Sequence, residues 1–140
     1  MRAINLHHPA AEIGLPDKIA FYSRPGRARF SCSAMLIAWT TVSTAHDAEH
    51  LADACIAQNL AVCAQIDGPI HSHYVWQGRK TAAQEWRITL KFLPEQSGAL
   101  SAYVHSVHPY ETPQWLVVSA EKVGEKYLSW ARSPRSSVNF

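Results

Sequence analysis

Three side chains that can do chemistry stand within four consecutive residues of the sequence, His108-Pro109-Tyr110-Glu111. An imidazole is a good ligand for copper or zinc, and a nearby carboxylate can bind the same ion or orient the ring. Pro109, however, favours an extended backbone at His108, and Pro113 acts in the same way on the residue before it. The segment therefore predicts one of two things: a site in which His108 and Glu111 bind a cation, or a stiff link whose polar side chains fix its course.

A second group of candidate residues lies on and beside one strand. Apolar and polar residues alternate strictly over 86–92, which is the period of a β-strand. Glu85 and Lys91 are both odd-numbered, so they share the face opposite to Trp86. Two compatible interpretations follow. The residues form an ion pair between strands or subunits, or they line a pocket with Trp76 as its aromatic wall, suited to a small anionic or zwitterionic ligand.

Two further pairs of histidines have spacings that can chelate a metal ion. His71 and His73 are two residues apart in a predicted strand, and His46 and His50 are four residues apart in a predicted helix. Neither pair has a third ligand at a recognisable spacing, and the sequence HDAEH lacks the HExxH arrangement of metalloproteases. We expect both pairs to be ordinary surface residues.

The hydrophobic periodicity predicts the elements that position these residues. Strands are predicted at 34–42, at 61–76 with a break or bend at Asp67-Gly68-Pro69, at 86–92 and at 114–120. Helices are predicted from Thr44, from Pro94 and over 125–131. The first and last strands are expected to be buried, and residues 78–84 are expected to form the turn of a long hairpin.

This order of elements, βαββαβ with a short C-terminal helix, predicts an α+β protein of the ferredoxin-like class. Two helices would cover one face of a four-stranded antiparallel sheet. The other face would need a cover as well, and association with further copies of the chain, through Trp76 and the long hairpin, is the simplest one.

The composition restricts the classes of function. The chain has 140 residues, 47% of them apolar and 17% charged, which is typical of one globular domain. No apolar run approaches the length of a membrane span. Residues 34–140 carry eight basic and nine acidic side chains, so no basic surface for nucleic acid is expected. The three cysteines are odd in number and lack CxxC spacing, which favours a reducing compartment such as the cytoplasm.

The two ends of the chain differ from its centre. Residues 1–33 lack periodicity and contain several prolines and glycines, so we expect a poorly ordered extension or a start codon placed upstream of Met35. Their arginines and serines leave an organelle-targeting arm open as an alternative. The folded domain is predicted at 34–133, and residues 134–140 are expected to be a tail.

Five stretches of the domain, in order, resemble the CutA family of divalent-cation-tolerance proteins. They are NLAVCAQI at 59–66, SHYVWQG at 72–78, Glu85 with Lys91, HPYETP at 108–113 and YLSW at 127–130. The resemblance implies a ferredoxin-like fold assembled as a homotrimer, similar to the PII signalling proteins. It also implies binding of copper(II) or another divalent cation, a role in metal tolerance, and no established reaction.

The resemblance also implies where ligands bind. His108 and Glu111 are the implied cation ligands. The implied cleft between subunits is lined by Cys63, Tyr74, Trp76, Glu85, Lys91, Tyr110 and Trp130. Some family members have a cysteine at the end of the first strand that has been linked to copper, and Thr40 occupies that position here. Other departures from the family pattern are Gln65, Gln114 and Gly124.

Two functions of different kinds follow as hypotheses. The first is a trimeric, non-enzymatic protein that binds divalent cations and acts in the response to metal ions. The second is a PII-like sensor of a small molecule, or a scaffold that anchors a protein partner. An enzyme with His108 and Glu111 as acid and base ranks last, because no nucleophile accompanies them. Neither nucleic acid nor a membrane is an expected partner.

Overall fold

A computed structural model describes residues 33–135, and they form a sheet with three helices. The predictions for the arm at 1–33 and for most of the tail at 134–140 lie outside the described residues. The elements are β1 (Leu36–Val42), α1 (Ala45–Ala57), β2 (Cys63–Trp76), β3 (Arg79–Phe92), α2 (Ser97–Val107), β4 (Leu116–Ser119) and α3 (Glu125–Arg132). A single 3₁₀ turn, Pro94–Gln96, leads into α2.

The four strands form one antiparallel sheet in the order β2-β3-β1-β4. With the element order βαββαβ, this is the split-βαβ arrangement of the ferredoxin-like class, so the prediction of an α+β fold is confirmed. β1 lies in the centre, as its apolar composition predicted. The sheet has two edges, β2 on one side and β4 on the other.

The core lies between the sheet and the first two helices. Alternate residues of β1 and β3, among them Ala38, Val42 and Leu90, are fully buried on the helix-facing side. α1 and α2 cover them with a stripe of buried residues that recurs at helical spacing: Ala48, Leu51, Ala52, Cys55, Leu100 and Val104. Helix α1 begins where predicted, because the hydroxyl of Thr44 accepts a hydrogen bond from the backbone N–H of Asp47, at 3.0 Å.

A smaller cluster fixes the C-terminal helix. Met35, Val62, Leu93 and Ala131 are buried together, so α3 packs against the chain beside β1 and β3. Helix α3 begins at the predicted residue and ends one residue later than predicted.

Two sequence predictions about strands were wrong. Residues 79–84 belong to β3, and the turn consists only of Gln77 and Gly78, both with positive φ, at 47° and 74°. A two-residue turn of this kind matches the twist of the flanking strands, so pairing continues up to it. β4 is not buried: all four of its residues are exposed, because among residues 33–135 it pairs with β1 alone and forms an edge.

The predicted break in the second strand is a bulge within one continuous strand. β2 runs for 14 residues, and its register with β3 shifts between Asp67 and Ile70. Gly68 at this bulge lies against the indole ring of Trp86. A Cβ atom at Gly68 would stand 2.5 Å from Cδ1 of Trp86, so only glycine allows this close approach.

We therefore expect Gly68→Ala to destabilise the fold by about 1–3 kcal/mol, since either the indole ring or the bulge must move. Gly98→Ala is the matched control. Gly98 lies in α2 with open space around its Cα, and the same change should stabilise the helix by about 0.5–1 kcal/mol. Urea unfolding of both variants at equal protein concentration measures the difference. Equal effects at the two glycines would contradict the packing of Trp86 on the bulge.

Candidate functional site

The segment that contains His108, Tyr110 and Glu111 connects α2 to β4. The backbone N–H of His108 still bonds to the carbonyl of Val104, at 2.9 Å, but His108 itself is extended, with φ −62° and ψ 134°. This is the conformation that Pro109 requires of the residue before it. The helix therefore ends at this point, and the segment turns its side chains towards the sheet.

Both ring nitrogens of His108 have partners. The backbone N–H of Tyr110 donates to Nδ1 at 3.0 Å, so Nδ1 is the acceptor. The proton of the neutral ring is then on Nε2, which donates to the hydroxyl of Thr40 at 3.0 Å. Thr40, the residue that stands in place of the family cysteine, thus joins β1 to the segment. With both nitrogens engaged, His108 has no lone pair to offer a metal ion in this arrangement.

A buried carboxylate lies next to this histidine. Glu85 on β3 is only 7% exposed. The hydroxyl of Tyr110 donates to one carboxylate oxygen at 2.9 Å, and the hydroxyl of Ser72 donates to the other at 2.6 Å. Glu85 therefore connects β2, β3 and the segment before β4.

A cavity of about 320 Å³ opens beside this carboxylate. Its lining combines hydroxyl groups, an amide and an imidazole with the carboxylate, and contains no lysine or arginine. The lining residues are Thr41, Ser72, His73, Tyr74, Glu85, Tyr110 and Gln114. More of the exposed lining is apolar than polar, and the carboxylate of Glu85 is the one anionic group among these lining residues.

The surroundings shift the pKa values of three groups. Burial lowers the pKa of His108 below its ordinary 6.5, and the backbone of Thr41 opposes this shift without reversing it. Burial raises the pKa of the Tyr110 hydroxyl, and its hydrogen bond to Glu85 raises it further. Burial and the charge of Glu85 also raise the pKa of Tyr74. At neutral pH the histidine is uncharged and both phenols keep their protons.

Three of the predicted cleft residues lie elsewhere, beside α3. Cys63 and Lys91 face each other across β2 and β3, and the ammonium group of Lys91 lies 5.8 Å from the ring centre of Tyr127. Trp130, 50% exposed, packs its ring 5.3 Å from that of Tyr127, centre to centre. These residues form a cationic and aromatic cluster, which we call the α3 cluster: Cys63, Lys91, Tyr127 and Trp130.

Within one chain the predicted cleft is therefore divided. Lys91 lies six residues along β3 from Glu85, or about 20 Å at the rise of a strand, so the two do not form an ion pair. Among residues 33–135 the ion pair within 4.0 Å is Arg87–Asp67. Trp76 pairs with Arg79 next to the turn of the hairpin. Arg79 is likewise six residues from Glu85 along β3. The structure brings Tyr74, Glu85 and Tyr110 together at one cavity, and neither Trp76 nor the α3 cluster lines it.

Part of the cavity lining was not predicted from the sequence. Ser72, Thr41 and Gln114 were not proposed as site residues, and His73 was considered only as a chelate with His71. The signal for Ser72 was present, because it lies two residues before Tyr74 and so shares its face of the strand. Thr41 and Gln114 come from β1 and the segment before β4, and no spacing in the sequence connects them to Glu85.

The described residues offer no ready-made metal centre. No group of three or more histidine, cysteine, aspartate or glutamate side chains within 33–135 is placed to hold a metal ion. Glu111 is exposed, and so are His71 and His73.

The sequence of the domain matches a known family model. Residues 36–134 match the model described as CutA1 divalent ion tolerance protein. The chain belongs to the CutA1 family. The resemblance seen in the sequence motifs is confirmed by a match that covers nearly all of the described residues.

Individual relatives agree with this assignment. The chain is 30% identical to the human protein CutA over 102 residues, 73% of this chain and 57% of the human one, so the match spans little more than half of that relative. It is 29% identical to the divalent-cation tolerance protein CutA of Yersinia pestis, over 71% of this chain and 84% of that protein. The solved structure of CutA from Synechococcus elongatus superimposes with a TM-score of 0.69 at 36% identity, covering 71% of this chain and 88% of that one.

The CutA1 domain contains three helices among its described residues, and none has the length and apolarity needed to cross a bilayer.

The lowered pKa of His108 predicts how stability depends on pH. Because the folded domain favours the neutral ring, the unfolded chain binds more protons once the pH falls below the ordinary histidine value of 6.5. This contribution to the free energy of unfolding is complete above that value and is lost as the pH falls. Urea unfolding at about pH 7.5 and about pH 5.5 should show a smaller loss in His108→Gln than in the wild type. The exposed His71→Gln is the control, and identical pH dependences in all three proteins would refute the prediction.

Proposed function

We propose that this CutA1 family member is a non-enzymatic homotrimer that binds divalent cations and acts in tolerance to metal ions, with Glu85 as the anchor of the cation. The observation that carries the proposal is the buried carboxylate of Glu85, which accepts two hydroxyl hydrogen bonds beside a cavity whose lining residues include no lysine or arginine. The family name and the names of the relatives, which refer to divalent-cation tolerance, support the same function.

The physical argument concerns the cost of burying the charge. Removing a carboxylate from water costs several kcal/mol, and two hydroxyl groups recover only part of that cost. A divalent cation in the cavity would supply the missing positive charge. Its attraction to Glu85 would be stronger there than at the surface, because the surroundings screen charges less than water does.

The donors around the cavity suit such an ion. Carboxylate, hydroxyl and amide oxygens are ligands for hard cations, and the imidazole of His73 adds a nitrogen that copper and zinc prefer. Glu85 would hold the ion, and Ser72, Tyr110 and Gln114 would turn oxygens towards it. His108 does not suit this role as it stands, because both of its nitrogens are hydrogen-bonded. Its contribution would be to hold the backbone of Tyr110 in place.

A trimer is supported by the exposed apolar residues of β4. Leu116, Val117 and Val118 are consecutive, apolar and exposed, on a strand whose outer edge pairs with no other strand of the part of the chain that the structure describes. Soluble proteins rarely leave such an edge open, and pairing with a neighbouring subunit removes it. The same assembly would bring parts of neighbouring chains near the cavity and the α3 cluster, so the divided cleft would be completed between subunits. The cysteine pattern of the sequence favours the cytoplasm as the compartment.

The size of the cavity favours a second candidate function. A volume of about 320 Å³ lies at the lower limit of small-molecule pockets. The same carboxylate would bind an organic ammonium ion through charge-assisted hydrogen bonds, as in a PII-like sensor. The two candidates share the site and differ in the ligand.

Glu85→Gln should weaken the binding of Zn²⁺ or Mg²⁺ at least tenfold, because the substitution removes the charge and keeps the shape. Titration calorimetry on the purified protein measures this, and the exposed Glu121→Gln is the matched control. Unfolding curves of each variant verify that it is folded. Wild-type affinity in Glu85→Gln would refute the proposed anchor. If His108→Ala alone abolished binding, the ion would belong to the segment at 108–111, as the sequence first suggested. Stabilisation by organic amines and not by metal ions would favour the sensor.

Val118→Asp should dissociate the trimer, because the added charge would be buried next to the edge of β4. Val107→Asp is the matched control: Val107 in α2 is 47% exposed and Val118 is 41% exposed, but Val107 does not lie on the sheet edge. Light scattering coupled to size exclusion measures the mass of each protein. A wild-type mass of a single chain, or a trimer that survives Val118→Asp, would refute the proposed interface.

A further inference from the structure

We propose that helix α1 has a second, independent cation site, in which His46 and His50 together chelate a transition-metal ion such as Ni²⁺, Zn²⁺ or Cu²⁺. The sequence analysis treated these histidines as ordinary surface residues, and the motifs that carry the family resemblance do not include them. The proposal does not depend on the Glu85 site.

The two imidazoles lie side by side on the exposed face of α1. They are one helical turn apart, with ring centres 6.3 Å from each other and ring planes inclined by 28°. The opposite face of the helix is buried in the core, so the backbone under both rings is fixed. A helix held in this way presents two side chains at positions i and i+4 to one ligand with little further loss of backbone entropy.

This pair differs from His105 in α2 and His108 at the C-terminal end of that helix in the availability of its ring nitrogens. His105 bonds to the carbonyl of Ser101 at 2.7 Å, and both nitrogens of His108 are engaged. Within residues 33–135, neither His46 nor His50 makes a hydrogen bond through its ring, and their contact is with each other. Their nitrogens are therefore open to a metal ion from solvent.

Two imidazoles are a donor pair for nickel, zinc or copper, and the remaining coordination positions would be filled by water. A rotation of the rings towards each other would bring one nitrogen of each to a single ion. Asp53, almost one turn further along the helix, lines a surface depression with His50 and would add a negative charge nearby without binding the ion.

Single substitutions provide the decisive test, because a chelate needs both rings. In Ni²⁺ titrations of the full chain, His46→Gln and His50→Gln should each weaken one binding event at least tenfold, and the double variant should be no weaker than either single one. Asp53→Asn should produce a smaller loss. His71→Gln is the control, since His71 is an exposed histidine of β2 outside the site. All four substituted residues are exposed, so the fold should be retained.

Zn²⁺ gives a second readout that is independent of affinity. Zinc should shift the imidazole NMR signals of His46 and His50 together, at the same metal concentration, and leave the signals of His105 unchanged. Glu85→Gln should leave this event intact, which separates the proposal from the function assigned to the cavity. Nickel binding that survives the double variant, or losses that simply add, would overturn the chelate.

Discussion

Glu85 is the one charged side chain that is buried among the described residues, and the polar contacts around residue 110 depend on it. Glu85 is held by the hydroxyl groups of Ser72 and Tyr110, so the hairpin of β2 and β3 and the segment before β4 are tied to one carboxylate. A carboxylate without these donors would be strongly disfavoured in a buried position, and each donor is itself held in place by its own element. The conformation around residue 110 is therefore set by electrostatics as much as by packing.

The neighbouring histidine fixes the same segment from the other side. His108 accepts a hydrogen bond from the backbone of Tyr110 and donates one to Thr40, so it joins the end of α2 to the central strand. Its pKa, lowered first by burial, keeps the ring neutral, and its two hydrogen bonds fix the tautomer. Pro109 makes the backbone of His108 extended, and the two hydrogen bonds of the ring fix the position of the segment relative to β1. The segment is thus a stiff link, and the hydrogen bonds of His108 hold it against the central strand.

Charge and apolar surface are distributed unevenly over the rest of the domain. The carboxylate of Glu85 lies in the middle of β3, and the cationic, aromatic α3 cluster lies near the C-terminal end of that strand. Of the eight exposed large apolar residues that are described, five lie on β4 and α3. In an assembly of several chains, this separation would allow the acidic region of one chain to meet the basic region of another.

The sequence alone determined the order of elements, the central position of β1, the start of α1 and α3 and the family, because these depend on local periodicity, on caps and on motifs such as HPYETP. It could not determine the length of the hairpin, since strand pairing overrode the turn propensity of residues 79–84. It also led to the prediction that Glu85, Lys91 and Trp76 form one group. Odd-numbered residues of a strand share a face, but this does not say how far apart along the strand they lie. The partners of Glu85, the bond of His108 to Thr40 and the exposure of β4 were decided by tertiary structure. The hydrogen bonds among them join residues 13 to 68 positions apart. No periodicity in the sequence encodes such contacts, because each depends on how separate elements pack together.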